Sequence, residues 1–151
     1  MNNKEFLEKI KNEEISINEG LDYLKDFNYK DLDFAKLDFQ RKERRGFGET
    51  IFCEGKEDFA LAQIYKSFSD RKESVIGTRA TPSQYEKVLE LVPEVTYDPT
   101  GRIISLIYDK SPKVGNVAIC TGGTADLKVA EEARITAEFF GANVSKFYDV
   151  G

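Results

Sequence analysis

The chain has 151 residues, with 22 Lys and Arg against 27 Asp and Glu, and its formal net charge of −5 argues against a general nucleic-acid or anionic-membrane binder. With 40% hydrophobic and 32% charged residues it has the material for a core, and its length fits one domain or two small ones rather than a disordered segment. Histidine is absent, which excludes Ser/His/Asp and Cys/His nucleophile pairs, HExxH zinc sites and imidazole acid–base catalysis within these residues.

Two cysteines, Cys53 and Cys120, in a chain that opens without an apolar signal region are expected to be reduced thiols of a cytoplasmic protein. The apolar runs are far shorter than the roughly 20 residues of a spanning helix, so no membrane partner is expected. Any chemistry must come from carboxylates, Lys, Tyr, the two thiols, backbone amides or a bound cofactor.

Residues 3 to 12 carry Phe6, Leu7 and Ile10 at helical spacing, and residues 17 to 27 repeat the pattern with Ile17, Leu21, Leu24 and Phe27. The spacing predicts a helical hairpin over residues 1–30, better suited to a cap or oligomer contact than to catalysis. Residues 31 to 38 are ambiguous. The next stretch, QRKERRGFGE, holds the basic cluster Arg41, Lys42, Arg44 and Arg45. Arginine forks there could clamp a phosphate or carboxylate, against the commoner reading of a solvated face; one RRGFG copy in an acidic chain is weak evidence for RNA binding.

ETIFCEG reads as a short strand, EDFALAQIYKSF as a helix and SVIGTRA as a second strand, with Arg79 at its end a further ambiguous anion contact. Thr81 followed by Pro82 supplies an N-cap and a first-turn proline for PSQYEKVLELV, and EVTYDPTGRIISLIYD is a hairpin around DPTG. Residues 31–110 are therefore expected to form a small mixed α/β domain, closed by the linker KSPKVGN.

GNVAIC, apolar at consecutive positions, is expected to be a parallel-type strand covered on both faces, with Cys120 buried at its end. The helix from Leu127 would bury Ala130, Ala133, Ala137 and Phe140, Gly141 would end it, and ANVSKFYDV would be the next strand. Residues 115–151 thus read as one βαβ unit. Its turn, TGGTAD, combines free amides, a helix N-terminus, two glycines and two threonines, which suits phosphate. Thr121, Gly122, Gly123, Thr124 and Asp126 are the candidate site, with Asp126 a helix cap or an acceptor for a ribose or amine. The alternative is a tight βα turn, capped by Thr124 or Asp126, without a ligand. No P-loop Lys and no GxGxxG is present, which disfavours ATP hydrolysis and ordinary dinucleotide binding.

The segments LDFAKLDFQRKERRGFGETIFCEGK, VIGTRA and VAICTGGTADLKVAEEARITAEFFGANVSKFYDVG together resemble the LarB family, pyridinium biscarboxylate mononucleotide synthases of nickel-pincer cofactor biosynthesis. The catalytic domain of that family is similar to PurE, the aminoimidazole ribonucleotide carboxylase or mutase, whose GSxSD turn binds a nucleotide phosphate at the corresponding point. The resemblance implies an α/β fold in which a small N-terminal α+β domain precedes the first βαβ unit of a PurE-like parallel sheet, here truncated. It also implies a nicotinate or adenine nucleotide as ligand at Thr121, Gly122, Gly123, Thr124 and Asp126, and ligand or domain-interface roles for Arg41 and Arg45.

LarB enzymes carboxylate the nicotinate ring of nicotinic acid adenine dinucleotide and hydrolyse its phosphoanhydride. CO2 or bicarbonate is the co-substrate, magnesium a candidate ion, and no other cofactor is called for. An electron-poor pyridinium attacks CO2 only after a thiolate adds to the ring, and neither Cys53 nor Cys120 matches the family's nucleophile. The chain is therefore expected to be an N-terminal portion, inactive alone, and its incomplete sheet to favour homo-oligomers. The alternatives are a PurE-type carboxylase or mutase, and a non-catalytic nucleotide-binding or oligomerisation module.

Overall fold

The structure is a computed structural model that describes residues 3–21, 29–31, 36–38, 48–108 and 113–151. It divides into two compact units, residues 1–45 and 46–151.

In the first unit, helix α1 (Asn3–Lys11) buries Phe6, and residues 17–21 are helical as expected. The second helical stretch opens on a capping box: the Ser16 backbone N–H donates to Glu19 Oε2 at 2.9 Å, and the Glu19 N–H donates to Ser16 Oγ at 3.2 Å. Gly20 admits the other helix, since a Cβ there would stand 2.9 Å from Ile10 Cδ1. An antiparallel pair, β1 (Tyr29–Asp31) and β2 (Lys36–Asp38), brackets the ambiguous segment 31–38 and takes in residues 29 and 30 that the sequence assigned to the hairpin; its strands are too short for any period to emerge. Leu24, Phe27 and the basic cluster Arg41, Lys42, Arg44 and Arg45 lie outside the described residues.

The second unit is built on four strands in the order β3-β4-β6-β5: β3 (Glu49–Phe52), β4 (Val75–Thr78), β5 (Thr96–Asp98) and β6 (Ile103–Leu106). β3 and β4 are parallel, joined through helix α2 (Asp58–Asp70), and the other pairings are antiparallel. The apolar stripe of α2 buries Leu61, Ala62, Ile64, Tyr65 and Phe68. Helix α3 (Pro82–Leu91) starts as the sequence indicates: Thr81 Oγ1 accepts the Gln84 N–H at 3.1 Å, Gln84 Oε1 accepts the Thr81 N–H at 2.9 Å, and Pro82 occupies the first turn. Gln84 Nε2 also donates to the carbonyls of Cys53 and Lys56, at 2.9 and 2.8 Å, tying α3 to the end of β3. At the β5–β6 turn Asp98 Oδ1 accepts the Gly101 N–H at 2.7 Å, so the DPTG hairpin forms as read.

Gly77 in β4 lets α2 close on the sheet. A Cβ there would collide with the Tyr65 hydroxyl and stand 2.7 Å from Cys53 Sγ; that hydroxyl donates to the Ile104 carbonyl at 2.9 Å. The register puts Ile104 and Leu106 on the same face as Gly77, and Ile76, Ile103 and Ser105 on the opposite one, where they too are buried.

Helix α4 (Leu127–Phe139) supplies that second cover. Its early turns approach the β5–β6 turn, where a Cβ on Gly101 would stand 3.1 Å from Glu131 C and Glu132 N. Its end reaches the start of the sheet, where a Cβ on Gly48 would stand 3.6 Å from the Phe139 ring. α4 therefore lies along β4, running the opposite way. It ends as predicted at Gly141, φ 89°, with N–H bonds from Gly141 to Glu138 O and from Ala142 to Ala137 O, both 3.0 Å.

β7 (Asn116–Cys120) and β8 (Asn143–Phe147) pair in parallel in register 116↔143, completing the βαβ unit. Two expectations fail here. β7 is not covered on both faces: its residues are exposed apart from half-buried Ile119, and Cys120 is exposed. An apolar run records that a strand can be enclosed, and here one helix encloses one face. On α4 the buried pair is Ala130 and Glu131, while Ala133 and Phe140 are exposed, because the helix turns Ile135 and Phe139 toward the four-stranded sheet and the Glu131 side chain toward the end of β8.

Candidate functional site

β7 ends at Cys120 and the chain turns through Thr121–Gly122–Gly123 into one turn of 3-10 helix, Thr124–Asp126, which runs into α4. Thr121 is buried and held by the segment after β8. Its N–H donates to Phe147 O at 3.0 Å, its Oγ1 accepts the Asp149 N–H at 3.1 Å and its carbonyl accepts the Val150 N–H at 3.0 Å. Asp149 takes φ 57°, a left-handed backbone uncommon for a residue with a Cβ. Gly151 passes close to the turn, where a Cβ would stand 2.5 Å from Gly122 O.

Gly122 and Gly123 behave differently. Neither takes a left-handed φ, Gly123 being extended at φ −167°, and a Cβ on either meets nothing within 4 Å among the described residues. The packing of the described residues therefore does not require glycine at these positions; what their missing side chains leave is bare backbone with none of those residues against it. Among the described residues no side-chain cap bond closes the 3-10 turn or α4, so Thr124 and Asp126, both exposed, are not used as caps. All five residues expected here, Thr121, Gly122, Gly123, Thr124 and Asp126, lie in one continuous turn at the helix N-terminus, where unpaired amides and the helix dipole favour an anion.

Arg79 sits at the carboxyl end of β4 with φ 55°. Arg102, also left-handed at φ 53°, pins that corner: its Nη2 donates to Arg79 O at 3.0 Å and its Nε to Ala80 O at 3.1 Å. The Arg79 guanidinium lies 5.4 Å from the centroid of the half-exposed Phe52 ring, 3.5 Å from Glu54 and 4.0 Å from Glu132 of α4. Through Glu132 the structure brings Arg79 to the same end of α4 as the turn; Arg41 and Arg45 are outside the described residues.

A feature not visible in the sequence is the buried carboxylate of Glu131. Oε2 accepts from Arg134 Nε at 2.7 Å, Oε1 accepts the Tyr148 hydroxyl at 2.7 Å, and Lys146 Nζ lies 3.8 Å away. The Arg134 bond, followed by the other two partners, holds the Glu131 carboxyl below its usual range against the opposing effect of burial. Burial, then the bond to Glu131, pushes the Tyr148 phenol up. Of the thiols, Cys53 is fully enclosed and pushed up to about 12 by burial. Among the described residues no group of three or more His, Cys, Asp or Glu is arranged to hold a metal, and no helix is long and apolar enough to cross a membrane.

These features define an α/β protein in which a small mixed-sheet layer and a parallel βαβ unit share helix α4. The chain belongs to the LarB/PurE-like N-terminal domain family, which matches residues 29–109. It is also 27% identical, over 161 aligned residues, to the uncharacterized protein MJ0165 of Methanocaldococcus jannaschii, an alignment covering 99% of this chain and 62% of that protein. The chain thus spans about six-tenths of the length of this relative, and the candidate turn lies beyond the residues the family matches.

Proposed function

We propose that the chain is the nucleotide-binding portion of a LarB-type carboxylase-hydrolase acting on nicotinic acid adenine dinucleotide in nickel-pincer cofactor biosynthesis. The observation that carries the reading is the turn itself: two glycines against which none of the described residues packs a side chain, at a helix N-terminus without a side-chain cap among those residues. Backbone amides there bind a phosphate, the hydroxyls of Thr121 and Thr124 are donors beside them, and Asp126 is the acceptor for a ribose hydroxyl. Arg79, loosely paired at 3.5 and 4.0 Å, is the candidate for a second anionic group of the ligand.

In this reading CO2 or bicarbonate is the co-substrate and a thiolate activates the pyridinium ring. Cys53 is unsuited to that task, being enclosed and protonated. The 151 residues are expected to bind nucleotide without carboxylating it.

Calorimetric titration with AMP and with nicotinic acid adenine dinucleotide tests the reading. The chain should bind at least one of them, and Gly122→Val, whose Cβ meets none of the described residues, should weaken binding tenfold or more (about 1.4 kcal/mol) at unchanged Tm. Full affinity in the variant would refute the turn as the site.

A further inference from the structure

Tyr148 is the first residue after β8; Phe147 before it accepts the Thr121 N–H, and the three that follow it, Asp149 to Gly151, touch the Thr121–Gly122 turn as well. The direction of those contacts is set where the chain leaves β8. Asp149 enters the left-handed region at once, and that reversal aims two successive amides, Asp149 N–H and Val150 N–H, at the hydroxyl and carbonyl of Thr121. A left-handed backbone is uncommon for a residue with a Cβ, and persists where its neighbours are fixed. The neighbour is fixed from α4. Glu131 accepts the Tyr148 hydroxyl at 2.7 Å, Arg134 donates to the other Glu131 oxygen at 2.7 Å, and the Lys146 ammonium lies 5.8 Å from the Tyr148 ring centroid and 3.8 Å from Glu131. Arg134 is in turn bonded to Glu138 at 2.7 Å.

Adhesion alone does not explain this cluster. Two apolar side chains at positions 131 and 148 would join α4 to the end of β8 as well, since a buried ion-paired carboxylate repays its desolvation only when every partner is in place. What the polar pair adds is direction: the tyrosine is held at its far end by a bond with a preferred line, and the backbone at Tyr148 is held with it.

We infer that Glu131 and Tyr148 are positioning residues that hold the segment after β8 against Thr121 and so keep the Gly122–Gly123 backbone in its open, ligand-ready geometry. The inference rests on the turn being a nucleotide site, but the clamp can be read without a ligand. It names no new contact to substrate: both side chains act through Asp149, Val150 and Thr121.

The test uses the full chain with Tyr148→Phe, Glu131→Gln and Glu131→Ala. Amide hydrogen exchange is followed by NMR at Asp149 and Val150, with AMP as the titrant and the α4 amides and Tm as controls. In Y148F the Asp149 and Val150 amides should exchange about fivefold faster and AMP should bind about fivefold more weakly, the equivalent of one ordinary hydrogen bond, while α4 stays protected. E131Q, which keeps an oxygen for the Tyr148 hydroxyl, should retain more affinity and protection than E131A, an ordering that a loss of bulk stability alone does not produce at equal Tm. If Y148F does not fold, the E131Q and E131A pair carries the comparison. Wild-type exchange at Asp149 and Val150 in Y148F, or in both Glu131 variants, overturns the inference. Absence of AMP binding to the wild-type chain, or full affinity in Gly122→Val, would instead sink the nucleotide reading and leave the exchange arm to decide the clamp.

Discussion

Tyr148 donates its hydroxyl to Glu131 at 2.7 Å, so the residue that leaves β8 is bonded to the helix that precedes it in the chain. Because Arg134 and the other partners lower the Glu131 pKa in the folded state, this carboxylate stabilises the fold above the unfolded value of about 4.3, and its contribution is lost as pH falls through the lowered folded value. Urea denaturation should show a stability gap between the wild-type chain and Glu131→Gln that is complete at neutral pH and shrinks in acid below about pH 4. A gap that does not change with pH would mean that the charge on Glu131 contributes nothing.

Gly77 is the most tightly specified glycine of the four-stranded sheet. Gly77→Ala must displace the Tyr65 hydroxyl from Ile104 O and press on Cys53, in a place with no slack. Overpacking and the lost bond together should cost roughly 2–4 kcal/mol, read as a lower Tm. Gly122→Ala, whose Cβ meets none of the described residues, should stay within about 0.5 kcal/mol of wild type.

Thr81 and Gln84 share a capping box but not a burden. Thr81→Ala removes one cap acceptor and should cost about 1 kcal/mol. Gln84→Ala strands the Thr81 N–H and the Lys56 carbonyl and leaves the Cys53 carbonyl with the Lys56 N–H alone, and should cost about 2–4 kcal/mol in the same denaturation series. Equal losses would show that the bonds to β3 contribute nothing.

The two thiols should separate cleanly under alkylation. Iodoacetamide at pH 8 should modify exposed Cys120 in the native chain and leave enclosed Cys53 untouched until denaturant is added, as peptide mass spectrometry can establish. Native labelling of Cys53 would mean that the α2 face opens readily.

What could be read from the sequence was whatever neighbours in the chain decide between themselves. Thr81 with Pro82, Gly141 after an alanine-rich helix and DPTG between two β-rich runs each specify a local geometry, and all three formed. The Ser16–Glu19 box was available by the same logic, as S-x-x-E ahead of an apolar run. The candidate turn was legible as a strand–glycine–helix junction. What failed depended on distant partners. The run in GNVAIC shows that β7 tolerates enclosure, yet enclosure needs a second layer that one βαβ unit does not supply. A carboxylate at position 131 looks solvent-facing until Tyr148 and Lys146 arrive from β8. The alanines of α4 pointed to one buried face, whereas the helix serves two surfaces and turns Ile135 and Phe139 toward the sheet.

That double service bears on how the chain could be cut or recombined. A Cβ at Gly101 would sit 3.1 Å from the peptide linking Glu131 and Glu132, so the β5–β6 turn and α4 were shaped to each other's backbone, beyond the reach of a compensating side chain. A chimera that takes residues 29–109 from one relative and the βαβ unit from another would set two unmatched backbones against each other at that point. The segment that can be exchanged intact runs through Phe139, with the β5–β6 turn and α4 inherited as a pair.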